Sequence, residues 1–332
     1  MSEAFMTFRV HNESGVIRSG LEQVALDALG KGDVIIRAAW SDINYKDALA
    51  VTGEGKVMRR FPLVAGIDVS GVVSASDDAR YQPGDAVLVT GCGLGEKHDG
   101  GYAEYVRVPG DWVIPLPQGL SLRESMSLGT AGFTAALAME RLEQLGTRPE
   151  SGPVLVTGAS GGVGSIAIDI FSKAGYEVTA LTGKPEQVDY LKSLGAEAVL
   201  LTSETTMGKH PLEAARWGAA IDSVGGEVLA WLTRTTRPWC NIASIGLTGG
   251  WELNTTVMPF ILRGVSLIGI NSVDTPRDLR LKIWQRLAGE LKPRNLDRIV
   301  THEVPLEQID SAFRDYIDRK MTGRSLVRIQ SD

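Results

Sequence analysis

Cysteine and histidine are scarce in this chain, and their placement excludes several classes of protein. The two cysteines, Cys92 and Cys240, stand far apart, so neither belongs to a Cys-x-x-Cys pair or to a disulfide framework. A reducing cytoplasm is the expected compartment. The four histidines, His11, His98, His210 and His302, are scattered without the spacing of metal ligands. Long apolar runs are missing as well. The start, MSEAFMTFRV, has no basic stretch followed by an apolar core, and MPFILRGVSLIGI (258–270) is short and broken by Arg263, so neither a secretion signal nor a membrane span is expected. There is no internal repeat and no block of like charges. With a formal charge of −6 and a pI near 5.4, nucleic acid and anionic membranes are poor partners, and a small molecule is the expected one.

What is present is ordinary for a globular protein with a sizeable core: 332 residues, 43% apolar and 22% charged, enough for two domains. To about residue 125 the chain shows short β-like runs separated by Gly, Pro and Asp: DVIIRAAW (33–40), VSGVVSAS (69–76), DAVLVTG (85–91) and AEYVRVP (103–109). That spacing predicts a compact all-β unit or a partly open barrel.

From about residue 126 strands and helices alternate. An Ala-rich helix (131–145) leads into GPVLVTGASGGVGSIAIDIFSKAGYEVTALTG (152–183), which reads as strand, Gly-rich turn, amphipathic helix and strand. Further alternation follows: a helix at 185–196, strands at 197–201, 217–222 and 239–246, helices at 228–235 and 257–264, and a strand at 265–271. This predicts a doubly wound parallel sheet. The tail predicts helices at 277–289 and 306–320 and strands at 298–304 and 325–330, returning to the first domain. The expected boundaries are therefore 1–125, 126–265 and 266–332.

In VTGASGGVGS, Gly158, Gly161 and Gly164 recur every third residue, with Gly162 beside them. Glycine is needed where a strand turns tightly into a helix and where a pyrophosphate must approach backbone N–H groups, which the helix dipole then favours. A dinucleotide is expected there. After the next strand an NAD site generally places a carboxylate for the ribose hydroxyls, whereas this chain offers Thr182, Gly183 and Lys184, so NADPH is favoured. Taken alone, Lys184 reads equally as a solvated charge at a helix start.

The stretch SDINYKDALA (41–50) has two readings. Asn44 caps a helix whose third position is Asp47, or Asn44, Tyr45, Asp47 and the later Asp68 form a reactive cluster. Asp68 follows the apolar run FPLVAGI, where burial raises a carboxyl's pKa and a nearby cation lowers it.

INYKDALAVTGEGKVMRRFPLVAGIDVSG, GTAGFTAALAM, VTGASGGVGS, AIDSVGG, TTVMPFILRG and GRSLV, in that order, resemble the medium-chain dehydrogenase/reductase superfamily over essentially the whole chain, and within it the YhdH/YhfP-type quinone oxidoreductase branch that includes acrylyl-CoA reductases. The resemblance implies an α/β fold: a Rossmann-type doubly wound parallel sheet plus a GroES-like β-rich catalytic domain. Zinc-dependent members carry Gly-His-Glu, whereas GIDVSG places Ile67-Asp68 there, so metal-free hydride transfer is expected. The resemblance further implies Tyr45 beside the nicotinamide, Ser160, Gly161, Gly162 and Val163 on the pyrophosphate, and Thr182, Gly183 and Lys184 at the 2′-phosphate. Thr130, Leu247, Ile261 and Ser272 are implied around the nicotinamide and its ribose. Relatives usually carry an Arg where Thr202 stands, which thins the cationic clamp.

With that fold, Asn44 and Tyr45 fall at the mouth of the interdomain cleft as donors to the reacting oxygen, and Asp47 and Asp68 orient them or relay protons. Lys56, Arg59 and Arg60 in GKVMRR serve as an anchor for acyl-CoA phosphates, or are merely solvated loop charges. The expected activity is NADPH-dependent reduction of a 2-enoyl thioester, most readily acrylyl-CoA. The alternatives are a quinone or enone reductase, and a non-catalytic NADPH-binding sensor. The apolar strand 265–271 at the sheet edge predicts a homodimer joined there.

Overall fold

The computed structural model describes residues 4–330. The chain divides into two compact units. One takes the residues up to Thr130, Val273–Ala288 and the residues from Leu296 on; the other takes Ala131–Ser272 and Gly289–Asn295.

The first unit begins with β1 (Phe5–Glu13), β2 (Val16–Val24), β3 (Val34–Ile43), β4 (Leu63–Val64), β5 (Asp68–Ser76), β6 (Ala86–Thr90), β7 (Tyr105–Val108) and β8 (Ile114–Pro115). β1 pairs antiparallel with both β2 and β4, while β3 pairs antiparallel with β5 and β7. Phe5, Phe8 and Val10 of β1 are buried with Val34, Ile36 and Ala38 of β3 in one core. Alternation along β3 follows from this: Ile36 and Ala38 face the core and Arg37 faces water. Past Trp40 both faces are covered, so Ser41, Asp42 and Ile43 are all buried.

α1 (Tyr45–Thr52) follows β3 directly. Its start is fixed by Asn44, extended at φ −107°, whose backbone N–H donates to Asp47 Oδ2 at 2.8 Å, and its end by Gly53 at φ 77°.

α2 (Leu122–Gln144) kinks at Gly129, where φ is 51°. The boundary between the units falls one residue after the kink, between Thr130 and Ala131.

The second unit holds β9 (Val154–Thr157), α3 (Gly162–Lys173), β10 (Val178–Thr182), α4 (Val188–Ser193), β11 (Ala198–Leu201), β12 (Trp217–Asp222), α5 (Gly226–Thr235), β13 (Thr236–Ser244), α6 (Met258–Arg263) and β14 (Ser266–Gly269). The six strands lie in the order β11-β10-β9-β12-β13-β14 and every neighbouring pair is parallel, the doubly wound arrangement with its switch point between β9 and β12. β9 reads VLVT and is buried throughout, as a central parallel strand covered on both faces must be.

The tail adds α7 (Arg277–Ala288), α8 (Leu296–Ile299), β15 (Val300–Pro305), α9 (Phe313–Ile317) and β16 (Arg324–Arg328). β16 pairs antiparallel with β3, Ser325 opposite Ile43, and parallel with β15.

Four expectations need correction. The strand expected from 298 begins at Val300, because Arg298 and Ile299 close the short helix α8. The helix expected over 306–320 is a 3-10 turn, Leu306–Ala312, followed by α9, and it stops because Arg319 takes φ 57°. The helix expected over 185–196 opens likewise with a 3-10 turn, Pro185–Gln187. The units divide at 130/131 and 272/273, where 125/126 and 265/266 were expected, since α2 runs through the first expected boundary and β14 stays in the parallel sheet. No helix among the described residues is long and apolar enough to cross a membrane.

Candidate active site

At the end of β3 the fold gathers charges that lie far apart in the sequence. Asp42 and Asp68 are fully buried, as is Asp47, and Arg324 joins them from β16. Arg324 Nη2 lies 2.7 Å from Asp42 Oδ2, at ion-pair distance but off the line of a hydrogen bond. Its Nη1 donates to Asn44 Oδ1 at 3.1 Å. Asn44 Nδ2 donates to Asp42 Oδ1 at 2.7 Å and to Asp68 Oδ2 at 2.9 Å. On its other side Asp68 accepts the backbone N–H and the hydroxyl of Thr130, at 2.7 and 2.6 Å. Burial pushes the Asp42 carboxyl well above the ordinary range, against the pull of Arg324. Asp47, also lifted by burial, is pushed up to about 7 although the N–H groups of Asn44 and Ile67 donate to it.

The expected residues sort by what their atoms are doing. Both amide hydrogens of Asn44 are spent on carboxylates, so the role open to it is orientation rather than donation to a substrate. Asp47 caps α1 and holds the Ile67 N–H. Tyr45, the first residue of α1, is half-buried, and its hydroxyl has no partner among the described residues. Of the expected phosphate anchor, Arg60 is committed to Asp99 at 2.9 Å, and Asp99 also takes the N–H groups of Gly30 and Val64. Lys56 and Arg59 are exposed, their side chains without partners among the described residues.

The loop between β9 and α3 is shaped by backbone. Gly158 takes φ 58°, and a Cβ on Gly164 would lie 2.6 Å from the Gly158 carbonyl oxygen and 2.7 Å from Ala159 Cα. Any larger residue would push α3 off the strand. Gly161 caps α3 without a side-chain bond, leaving N–H groups at the positive end of the helix dipole. Ser160, Gly162 and Val163 complete the turn, and the Ser160 hydroxyl has no partner among the described residues.

Thr182 ends β10 with its hydroxyl accepting the Lys184 N–H, and at Gly183 a Cβ would meet open space. Partial burial pulls the Lys184 ammonium below its usual range. Thr202, just past β11, is exposed and its N–H donates to the Thr182 carbonyl. Leu247, Ile261 and Ser272 also belong to this unit, Leu247 and Ile261 exposed, whereas Thr130 and Tyr45 belong to the first. A dinucleotide's phosphates suit this loop and strand tip, which present N–H groups, hydroxyls and an ammonium, with no carboxylate among Thr182, Gly183 and Lys184 themselves and with Glu186 acting on that ammonium.

The sequence reading passed over Asp42, Gly129 and Arg324. A Cβ on Gly129 would collide with the Asp42 carboxylate and the Arg324 guanidinium, so the kink in α2 is the room the ion pair occupies. The available signal was GRSLV, quoted above for its resemblance alone.

Residues 30–118 match the family described as Alcohol dehydrogenase GroES-like domain, and residues 162–288 the one described as Zinc-binding dehydrogenase. YhfP of Bacillus subtilis, named by inference as a quinone oxidoreductase, is 46% identical over 99% of this chain and 100% of its own. Its crystal structure with NAD bound superposes with a TM-score of 0.96 over the same shares of the two chains. The acrylyl-CoA reductase AcuI of Ruegeria pomeroyi is 43% identical over 96% of this chain and 97% of its own. The YhdH oxidoreductase of Salmonella enterica, solved in complex with NADP, is 44% identical with a TM-score of 0.95, covering 98% of this chain and 100% of that one.

The chain therefore belongs to the medium-chain dehydrogenase/reductase superfamily, in its YhdH/YhfP branch, and is an oxidoreductase. The second family's description raises zinc, which the side chains here do not suit. The oxygens of Asp68 are taken by Asn44 and Thr130, Asp42 faces Arg324, and no group of three or more His, Cys, Asp or Glu among the described residues converges on one point.

Proposed function

We propose that this protein uses NADPH to saturate the activated double bond of a 2-enoyl thioester, acrylyl-CoA giving propanoyl-CoA. The cofactor assignment rests on the glycine loop and on a strand tip, Thr182-Gly183-Lys184, that carries an ammonium where a carboxylate would repel the 2′-phosphate. Relatives solved with NADP support it. When bound, the reduced cofactor supplies a hydride; the chain's own groups do the rest. The Gly162, Val163 and Gly164 N–H groups and Ser160 hold the pyrophosphate, and Lys184 with Thr182 holds the 2′-phosphate. Thr130, whose hydroxyl donates to Asp68, joins the lining of the nicotinamide. Leu247, Ile261 and Ser272 line the nicotinamide and its ribose.

Hydride addition to the β-carbon of an enoyl thioester places negative charge on the carbonyl oxygen, which needs a hydrogen-bond donor, and the resulting enolate takes a proton from solvent at its α-carbon to give the saturated product. The Tyr45 hydroxyl fills that role, held by a helix start that Asn44 fixes. Asp47 and Asp68 act behind it, through the Asn44 backbone and amide.

The observation that carries the thioester reading is the pair of unpartnered cations, Lys56 and Arg59, on the loop that follows α1. CoA phosphates are natural ligands for them, and a quinone has no use for them. YhfP's name favours the second reading, a quinone or enone reductase with the same hydride geometry. Steady-state NADPH oxidation with acrylyl-CoA and, separately, with 1,4-benzoquinone decides between them. A Lys56→Ala/Arg59→Ala variant that raises KM for the thioester about 10-fold and leaves the quinone unchanged supports the first. Turnover of the quinone alone overturns it, and cofactor binding with no turnover of any acceptor leaves the sensor.

Two copies join along β14. Its outer edge is unpaired among the described strands, and Trp239, Val257, Ile261 and Leu262 expose apolar surface on the same unit. Sedimentation at micromolar concentration gives a dimer on this reading, and a monomer overturns it.

A further inference from the structure

Arg324 enters neither the substrate nor the cofactor reading above, yet it is 2% exposed and every nitrogen of its guanidinium is engaged. Nε donates to the Ser127 carbonyl at 3.3 Å, Nη1 to Asn44 Oδ1 at 3.1 Å and to the Ile43 carbonyl at 3.4 Å, and Nη2 faces Asp42. The pairing of β16 with β3 sets it beside the residue that starts α1. Asn44 is thereby gripped at both ends of its amide: its oxygen by a cation, its nitrogen by two carboxylates. A flipped amide would turn its oxygen toward Asp42 and Asp68 and its N–H groups toward a guanidinium. The network permits one orientation.

We infer that Arg324 is a positioning residue. By fixing the Asn44 amide it fixes the first turn of α1, and with it the Tyr45 hydroxyl. The inference rests on the reading of Tyr45 as the donor to the substrate oxygen. A buried ion pair adds little net stability when its charges could be replaced by packed apolar groups, so a role in orientation accounts for one here better than stability does. Gly129, whose missing side chain makes room for the pair, serves the same arrangement.

The test compares Arg324→Lys, Asn44→Ala and the double variant. Lysine keeps a charge against Asp42 but has one ammonium, which cannot span the Asn44 amide and the Ser127 carbonyl together. Arg324→Lys is expected to lower kcat about 10-fold with KM for NADPH unchanged within about 2-fold. In the Asn44→Ala background the same substitution should cost nothing more, because the group it acts through is gone. The second readout needs no substrate. With selective 15N-asparagine labelling, the Asn44 side-chain amide, identified by its loss in Asn44→Ala, exchanges slowly with solvent in the wild type and faster by about 10-fold or more in Arg324→Lys. Unchanged amide exchange, unchanged kcat, or losses that simply add each overturn the inference. A wild type inactive on every acceptor overturns the reductase reading instead, and amide exchange still judges the grip of Arg324. If Arg324→Lys does not fold, Asp42→Asn/Arg324→Gln, which removes both charges, takes its place in both measurements.

Discussion

The two candidate sites, one in each unit, are built from different material. In the parallel-sheet unit the loop proposed for the nucleotide is backbone: glycines, open N–H groups and room left by absent side chains, all between Gly158 and Gly164 and at Thr182–Lys184. In the other unit the candidate site is made of side-chain charges drawn from β3, β5 and β16, tied together by Asn44 and Thr130. A site made of backbone is compact in sequence and tolerant in charge. One made of buried side chains is scattered along the chain and fails as a unit, because removing one partner leaves the others unpaired in a low dielectric.

That contrast orders the expected effects of substitution. The largest falls on Gly129→Ala, which adds a Cβ against the Asp42–Arg324 pair at a left-handed φ. A loss of about 3–5 kcal/mol in denaturant unfolding, or failure to fold, is expected. A loss under about 1 kcal/mol would mean that the pair can move aside, and the contrast would break.

Next is Gly164→Ala, which forces α3 away from β9. About 1–3 kcal/mol of stability should be lost, and NADPH affinity measured by fluorescence titration should fall about 10-fold or more. Stability lost without affinity would show that the loop does not hold the phosphates.

Comparable in size is the pH dependence set by Asp47. Its carboxyl is raised to about 7 from the ordinary 3.8, so between those values the folded protein keeps a proton that the unfolded chain has released. Stability from this group is full below about pH 4 and is lost as pH rises through about 7. Asp47→Asn lacks that proton, so wild type should lose up to about 4 kcal/mol relative to the variant across this window, whatever the offset between them. Parallel stability curves would remove Asp47 from the buried titrating set.

The smallest effect belongs to Lys184→Ala, expected to raise KM for NADPH about 10-fold with little change for NADH. Equal effects on the two cofactors would place Lys184 off the 2′-phosphate.

What was legible in the sequence follows the same division. The alternation from residue 152 gives the doubly wound sheet because each strand and helix carries its own period, and the turn made by Gly-x-x-Gly-x-x-Gly is legible because its geometry is local. Asn44 and Asp47 were read both as a cap and as a reactive pair, and the helix start they make is in the structure. Local patterning was less reliable where neighbours decide. Residues 306–320 read as one amphipathic helix, and Arg319 in the left-handed region ends it early. The Arg60 guanidinium read as a phosphate anchor, and it is spent on the buried Asp99, which nothing near it in sequence reveals.

The sequence by itself determined the fold class, the glycine turn between β9 and α3 and the start of α1, since each depends on residues within a turn or two of one another. Only the tertiary structure decided which way the Asn44 amide faces, why residue 129 is glycine and what Arg324 is for. Those depend on a register: β16 lies antiparallel to β3 with Ser325 opposite Ile43, and this brings a cation from the end of the chain onto carboxylates near its beginning. Long-range pairing has no local signature, so a buried charge network becomes visible only when the strands that carry it are laid side by side.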